Sequence, residues 1–112
     1  MTKKVNVTIA PTAEWALKEI ESYKSINTNP SEAANFVDEL LLDSVDAITQ
    51  DPTRYRYNSP LLDKGVRFRE WIDPEKGYRV LYEEYNTDVY ILLYSSTKQD
   101  YESLLYRYNI IR

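Results

Sequence analysis

The sequence predicts a single α+β domain: an N-terminal strand, an α-helical hairpin, a three-stranded antiparallel meander and a C-terminal helix. Two observations support this fold class. Apolar residues recur at helical spacing between residues 13 and 48, whereas they alternate with polar residues between residues 65 and 94. The chain has 112 residues, which leaves room for one hydrophobic core. Residues 1–112 are therefore expected to form one domain.

The first half of the chain predicts one strand followed by two helices. Apolar and polar residues alternate over residues 5–9, as in a half-buried strand. A first helix is predicted after Pro11 from the spacing of its apolar residues: Ala13, Ala16, Leu17, Ile20 and Tyr23. Asn29 and Pro30 are typical of the N-cap and first position of a second helix, which ends before Pro52. Its apolar stripe comprises Ala33, Phe36, Val37, Leu40, Leu41 and Ile48.

The second half predicts the meander and the last helix. Its three strands are expected at residues 65–72, 78–85 and 89–94, with a loop before them at residues 55–60. The third strand is apolar on both faces, which is typical of a central strand. A last helix is predicted from about Thr97, with an N-cap among residues 95–97 and a stripe of Tyr101, Leu104, Leu105 and Tyr108. The helices are expected to cover one face of the sheet.

The composition excludes most familiar catalytic chemistry. The chain has no cysteine and no histidine, so disulfides, thiolate nucleophiles, zinc–cysteine clusters and Ser-His-Asp triads are excluded. With two glycines it cannot form a Gly-rich phosphate loop. We expect no metal and no cofactor. Because no apolar run is long enough for a membrane span or a signal peptide, we expect a cytoplasmic protein that does not contact the membrane.

Charge and aromatic residues are distributed unevenly along the chain. Residues 1–51 carry four lysines and nine acidic residues, a net charge of −5. Residues 52–112 carry ten cations and nine acidic residues, together with ten of the eleven tyrosines. Tyrosine combines contact area with a hydrogen-bonding hydroxyl and is favoured at interfaces.

The first strand of the meander offers a candidate binding surface. Alternation places Arg67, Arg69 and Trp71 on one face of this strand. One interpretation is a cationic, aromatic face that binds an acidic partner or a nucleic-acid backbone. The other is a solvated sheet face on which the arginines pair with the cross-strand acids Glu70, Glu83 and Glu84. The sequence leaves both open.

The ordered series of motifs resembles the RelE/ParE superfamily of type II toxin–antitoxin toxins, and it spans nearly the whole chain. The segments that carry the resemblance are residues 8–13, 32–36, 48–52, 65–67, 77–82, 89–94 and 98–100. The resemblance implies a helical hairpin packed on a small antiparallel sheet. It also implies a cognate antitoxin that forms a hetero-oligomer with the toxin, and contact with operator DNA only through that antitoxin.

Two activities are known in the superfamily. RelE-like members cut mRNA on the ribosome, and by resemblance that activity would use Arg67, Arg69, Arg79, Lys98 and Tyr106. The expected lysine positions fall near Glu70 and Ile72, however, and the second arginine position is Gln99. The sequence pI of about 4.8 is also low for a ribosome-bound nuclease.

These departures favour the ParE-like activity, in which a non-catalytic toxin inhibits DNA gyrase. The alternatives are a divergent RelE-like nuclease and a degenerate toxin that retains only antitoxin binding. The gyrase-interaction candidates are Arg67, Arg69, Trp71, Tyr101 and Arg107, together with the C-terminal segment 101–112. The antitoxin-binding candidates are Trp15, Tyr23, Phe36 and Arg79.

Overall fold

The computed structural model describes residues 5–111, which form four strands and four helices. The strands are β1 (Asn6–Ile9), β2 (Arg69–Asp73), β3 (Tyr78–Tyr85) and β4 (Asp88–Ser96). The helices are α1 (Pro11–Asn27), α2 (Pro30–Gln50), α3 (Ser59–Asp63) and α4 (Tyr101–Arg107). Within the described range, no helix has both the length and the apolar composition needed to cross a bilayer.

The four strands form one sheet in the order β1-β4-β3-β2, so β4 is central, as its apolar composition predicted. The meander β2-β3-β4 is antiparallel, but β1 pairs with β4 in parallel. The expectation of a purely antiparallel sheet is therefore wrong. Parallel neighbours need a long connection, which the helices and the meander provide here. Alternation shows that a strand exists but carries no information on the direction of its partner.

The helical hairpin begins and packs as predicted. The Asn29 side chain accepts a hydrogen bond from the Glu32 backbone N–H at 2.9 Å and caps α2. The buried residues of α1 include Ala13, Ala16 and Ile20. Those of α2 include Leu40 and Ile48, and both helices contribute to one core cluster with β3 and β4.

Helices lie against both faces of the sheet, so the expectation of a single covered face is wrong. Phe36 of α2 packs edge-on against Tyr78 of β3, with ring centroids 5.6 Å apart. The next residue of β3, Arg79, points to the opposite face, where its guanidinium carbon lies 4.4 Å from the ring centroid of Tyr101 in α4. The physical reason is that Leu81 and Leu93 pair across β3 and β4 on this second face and both need burial.

The segment before β2 differs from the predicted strand and loop. The strand predicted from residue 65 begins only at Arg69, as β2. Residues 65–68 instead connect the short helix α3 to β2, and the chain turns at Gly65, where φ is +81°. Helix α3 lies within the predicted loop, and the Asn58 side chain caps it by accepting the Leu61 N–H at 3.0 Å. The sequence does contain a signal for the start of α3, because Asn58 is followed by Pro60 much as Asn29 is followed by Pro30 at the start of α2.

The last helix begins later than predicted, because Ser95 and Ser96 continue β4. Its N-cap is Asp100, which accepts the Ser103 N–H at 3.1 Å. The end of α4 is a Schellman motif with Asn109 at φ 58°. In this motif the Ile110 N–H donates to the Leu105 carbonyl at 2.9 Å, and the Asn109 N–H donates to the Tyr106 carbonyl at 3.0 Å. These bonds join α4 and the residues that follow it into one unit.

Two buried tyrosines make the protein less stable as the pH rises in the alkaline range. Burial raises the pKa of Tyr94 from its ordinary value of 10.0 to about 12, although the hydrogen bond with Ser44 opposes this shift. Burial also raises the pKa of Tyr82. The folded protein therefore binds these protons more tightly than the unfolded chain does. The resulting contribution to the free energy of unfolding is complete below pH 10.0 and is lost as the pH rises through about 12.

We expect the free energy of unfolding, measured by urea denaturation, to fall over this pH range. Tyr94→Phe should reduce the slope, because it removes one of the titrating groups. The same slope in wild type and Tyr94→Phe would contradict this assignment.

Candidate functional site

Arg69 is bound inside the fold. Its guanidinium forms an ion pair with Glu84 and donates to the Tyr55 carbonyl at 2.6 Å, and it lies 4.2 Å from the ring centroid of Tyr57. The side chain is 14% exposed. Arg69 therefore links residues 55–57, which precede α3, to the sheet.

Arg79 is bound in the same way by a second cluster. Its Nε donates to Glu70 Oε2 at 2.8 Å. That same oxygen accepts from Asn58 Nδ2 at 3.0 Å, and Asn58 Nδ2 also contacts the Tyr101 hydroxyl at 3.0 Å. The side chains of Arg79 and Glu70 are 16% and 7% exposed. This cluster joins β2 and β3 to the starts of α3 and α4.

The strand register separates the two arginines. Arg69 pairs with Tyr82 across β2 and β3, whereas Arg79 pairs with Ile72, and the alternation along these strands places the two pairs on opposite faces. Lys98 and Tyr106 are exposed outside β2 and β3. The five residues named for a RelE-like centre are therefore not assembled around one reacting position.

The predicted cationic face of the first meander strand does not form. Arg67 is exposed but precedes β2, while Trp71 shares the Arg69 face and is half-buried. The predicted cross-strand pairing of arginines with acids is confirmed for Glu84 with Arg69 and for Glu70 with Arg79.

The gyrase-interaction candidates fall into two groups. Arg67 and Arg107 are exposed. Arg69 and Tyr101 are engaged in the two internal clusters, on opposite faces of the sheet, and Trp71 is half-buried. The accessible cations of this set are therefore Arg67 and Arg107.

A groove of about 420 Å³ lies between α1 and α4, and its lining includes four tyrosines, Tyr23, Tyr78, Tyr94 and Tyr108. Tyr78, Tyr94 and Leu104 are its buried lining, and Glu19, Tyr23 and Gln99 are its exposed rim. We call it the α1–α4 groove. Tyr108, which follows α4, also lines it.

The antitoxin-binding candidates lie at different distances from this groove. Tyr23 lines it and is 65% exposed, and Trp15 lies two turns earlier on α1 and is 56% exposed. Phe36 is half-buried beneath Lys24, whose Nζ lies 4.4 Å from the ring centroid. Arg79 is held by Glu70 on the opposite sheet face and does not line the groove.

Glu19 is a feature of the groove that the sequence prediction missed. Its Oε1 accepts a hydrogen bond from Trp15 Nε1 at 3.1 Å, and its Oε2 accepts one from the Tyr108 hydroxyl at 2.8 Å. Burial, with a smaller contribution from the Glu19 carboxylate, raises the pKa of Tyr108 to about 12. The four-residue spacing to Trp15 and to Tyr23 was visible in the sequence, but the contact with Tyr108, 89 residues away, was not.

A second groove of about 750 Å³ lies on the other side of Tyr108 and includes Arg67 in its wall. Its lining also includes Tyr57, Tyr85, the acidic residues Glu83 and Glu84, and the residues that follow α4. Arg67 thus lines a groove that is formed partly by the residues that follow α4.

Comparison with known proteins agrees with this architecture. The family model described as the ParE toxin of the type II toxin–antitoxin system parDE matches residues 7–101. The fold is similar to a solved chain of the chromosomal ParDE TA system from P. aeruginosa, with a TM-score of 0.68 and 13% sequence identity. That similarity covers 83% of this chain and 96% of the other. No curated protein matches this chain in sequence. Because the family model spans β1 to the start of α4, the chain belongs to the ParE toxin family of type II toxin–antitoxin systems.

Proposed function

We propose that this ParE-family toxin inhibits DNA gyrase without catalysing a reaction, and that a cognate antitoxin neutralises it by binding in the α1–α4 groove. The observation that carries the proposal is the family match over residues 7–101. The activity would take place in the cytoplasm, where gyrase and its DNA substrate are found.

The arrangement of the arginines supports inhibition by binding over RNA cleavage. A nuclease needs cationic donors aimed at one phosphate as negative charge develops on it. Arg69 and Arg79 are each neutralised by a carboxylate and lie on opposite sheet faces. Their guanidinium groups therefore stabilise the fold instead of contacting a substrate phosphate.

The α1–α4 groove supports an antitoxin peptide as the neutralising partner. Its lining combines buried apolar surface, such as Leu104, with polar groups of Glu19 and Gln99 at the rim, which suits an amphipathic helix or an extended segment. The resulting complex is a hetero-oligomer. The net charge of −4 disfavours binding of the toxin itself to DNA, so operator DNA would be contacted through the antitoxin.

Arg67 and Arg107 are the residues we propose for contact with the gyrase–DNA complex. Both are exposed, and neither forms an ion pair within residues 5–111. Cations of this kind accelerate association with an anionic target.

The proposal can be tested in cells that express the toxin alone or together with its antitoxin. We expect growth arrest and cleaved plasmid DNA with the toxin alone, and normal growth with both proteins. Mapping mRNA 5′ ends in the same cultures separates the alternatives. New mRNA ends with intact plasmid topology would indicate a RelE-like nuclease, and harmless expression of the toxin alone would indicate a degenerate toxin.

A further inference from the structure

Glu19 lies at the rim of the α1–α4 groove, and what we infer for it rests on the proposed role of that groove in antitoxin binding. Both of its hydrogen-bond partners, the Trp15 indole N–H and the Tyr108 hydroxyl, are neutral donors. Among residues 5–111, no lysine or arginine forms an ion pair with Glu19. The carboxylate charge is therefore held in place without being neutralised, and each oxygen retains acceptor capacity.

Aromatic rings surround this charge. Trp15 and Tyr108 are bound to its two oxygens, and Tyr23 follows one helical turn after Glu19 on the same side of α1. The faces of such rings attract cations, and guanidinium groups also stack on them. A carboxylate among aromatic rings is thus suited to bind an arginine or lysine side chain.

The charge of the helical hairpin favours a cationic occupant. Residues 11–51 carry nine acidic side chains against the two lysines Lys18 and Lys24. The resulting field attracts cations towards this side of the molecule. The apolar lining beneath Glu19, which includes Tyr94 and Leu104, suits the uncharged residues of the same segment.

We propose that Glu19, with Trp15, Tyr23 and Tyr108, forms a subsite for one arginine or lysine side chain of the antitoxin segment that occupies the α1–α4 groove. The cation pairs with the carboxylate and packs on the aromatic rings, and the neighbouring apolar residues of the segment fill the groove. The antitoxin segment is therefore amphipathic and carries a cation at this point.

Glu19→Gln tests the subsite, because glutamine keeps the shape and one oxygen acceptor but removes the charge. Glu21→Gln is the matched control, since Glu21 is exposed on the same helix and forms no side-chain bond within the described residues. By titration calorimetry with the cognate antitoxin, we expect Glu19→Gln to weaken binding about tenfold, because the bound segment would exclude water from the charge pair that the variant loses. Glu21→Gln should bind like wild type, and the ionic-strength dependence of Kd should be smaller for Glu19→Gln than for wild type.

A second variant separates cation binding from a structural role of Glu19 in holding the residues that follow α4. Tyr108→Phe removes the hydrogen bond to Glu19 but keeps the carboxylate and the ring, so it should weaken binding much less than Glu19→Gln. Equal losses in the two variants would overturn the subsite and assign Glu19 a structural role. Equal binding by wild type and Glu19→Gln would also overturn it while leaving the proposed function intact. A wild-type toxin that does not bind its antitoxin would instead overturn the proposed function.

Discussion

Replacing Glu70 with leucine should lower the free energy of unfolding by about 3 kcal/mol, because it leaves the Arg79 side chain, which is 16% exposed, without its carboxylate. Glu70 is 7% exposed on its side chain and also accepts from Asn58, which caps α3. The change therefore affects β2, β3 and the start of α3 together. Urea denaturation followed by circular dichroism measures the loss.

Two further variants make this prediction specific. The double variant Glu70→Leu, Arg79→Met removes both charges and should recover most of the lost stability, because no buried charge is then left unpaired. Glu75→Leu, at an exposed turn position, should change stability by less than about 0.5 kcal/mol. If Glu70→Leu costs no more than Glu75→Leu, the ion pair does not have the structural role assigned to it.

Reversing the charges of Arg67 and Arg107 together should weaken gyrase inhibition by about tenfold or more, because like charges would then oppose an anionic target. Both side chains are exposed and outside the internal clusters, so the free energy of unfolding should change by less than about 1 kcal/mol. Neither residue lines the α1–α4 groove, so antitoxin binding should be retained. The readout is the toxin concentration that halves DNA supercoiling by gyrase.

A matched variant controls for net charge. Lys18→Glu with Lys98→Glu introduces the same charge change at two other exposed positions. It should inhibit gyrase like wild type. If the Arg67, Arg107 variant loses no more inhibition than this control variant, the gyrase-binding surface lies elsewhere.

Point substitutions are better suited to this question than removal of residues 101–112. Leu104 and Leu105 in this segment are buried, and Tyr101 contacts Asn58 and Arg79. Deleting the segment would expose the core, so a loss of toxicity would report unfolding as readily as a lost binding surface.

Local sequence patterns were sufficient to predict most of the fold. The spacing of Ala13, Ala16 and Ile20 and the Asn29 cap determine where the hairpin forms, because helix caps and amphipathic faces are properties of neighbouring residues. The direction of β1 depends on its pairing with a strand about 80 residues away. Nothing in the composition of β1 specifies that direction.

The candidate site was harder to predict, since it depends on contacts between distant segments. Arginines in an alternating strand suggested a binding face, but Arg69 of that strand is bound to Glu84 of β3. Arg79 of β3 is likewise bound to Glu70 of β2. Identifying those partners requires the register of β2 and β3. The exposed aromatic residues Trp15 and Tyr23 could be recognised on α1, but Glu19 gains its role through Tyr108 at the other end of the chain.

Gyrase inhibition is tested most directly by a supercoiling reaction with purified gyrase, relaxed plasmid and toxin, with and without the cognate antitoxin. After denaturation and protease treatment, we expect loss of supercoiled product and accumulation of linear DNA with toxin alone. Prior addition of antitoxin should restore supercoiling. Unimpaired supercoiling by a toxin that circular dichroism shows to be folded would contradict gyrase inhibition as the function of this protein.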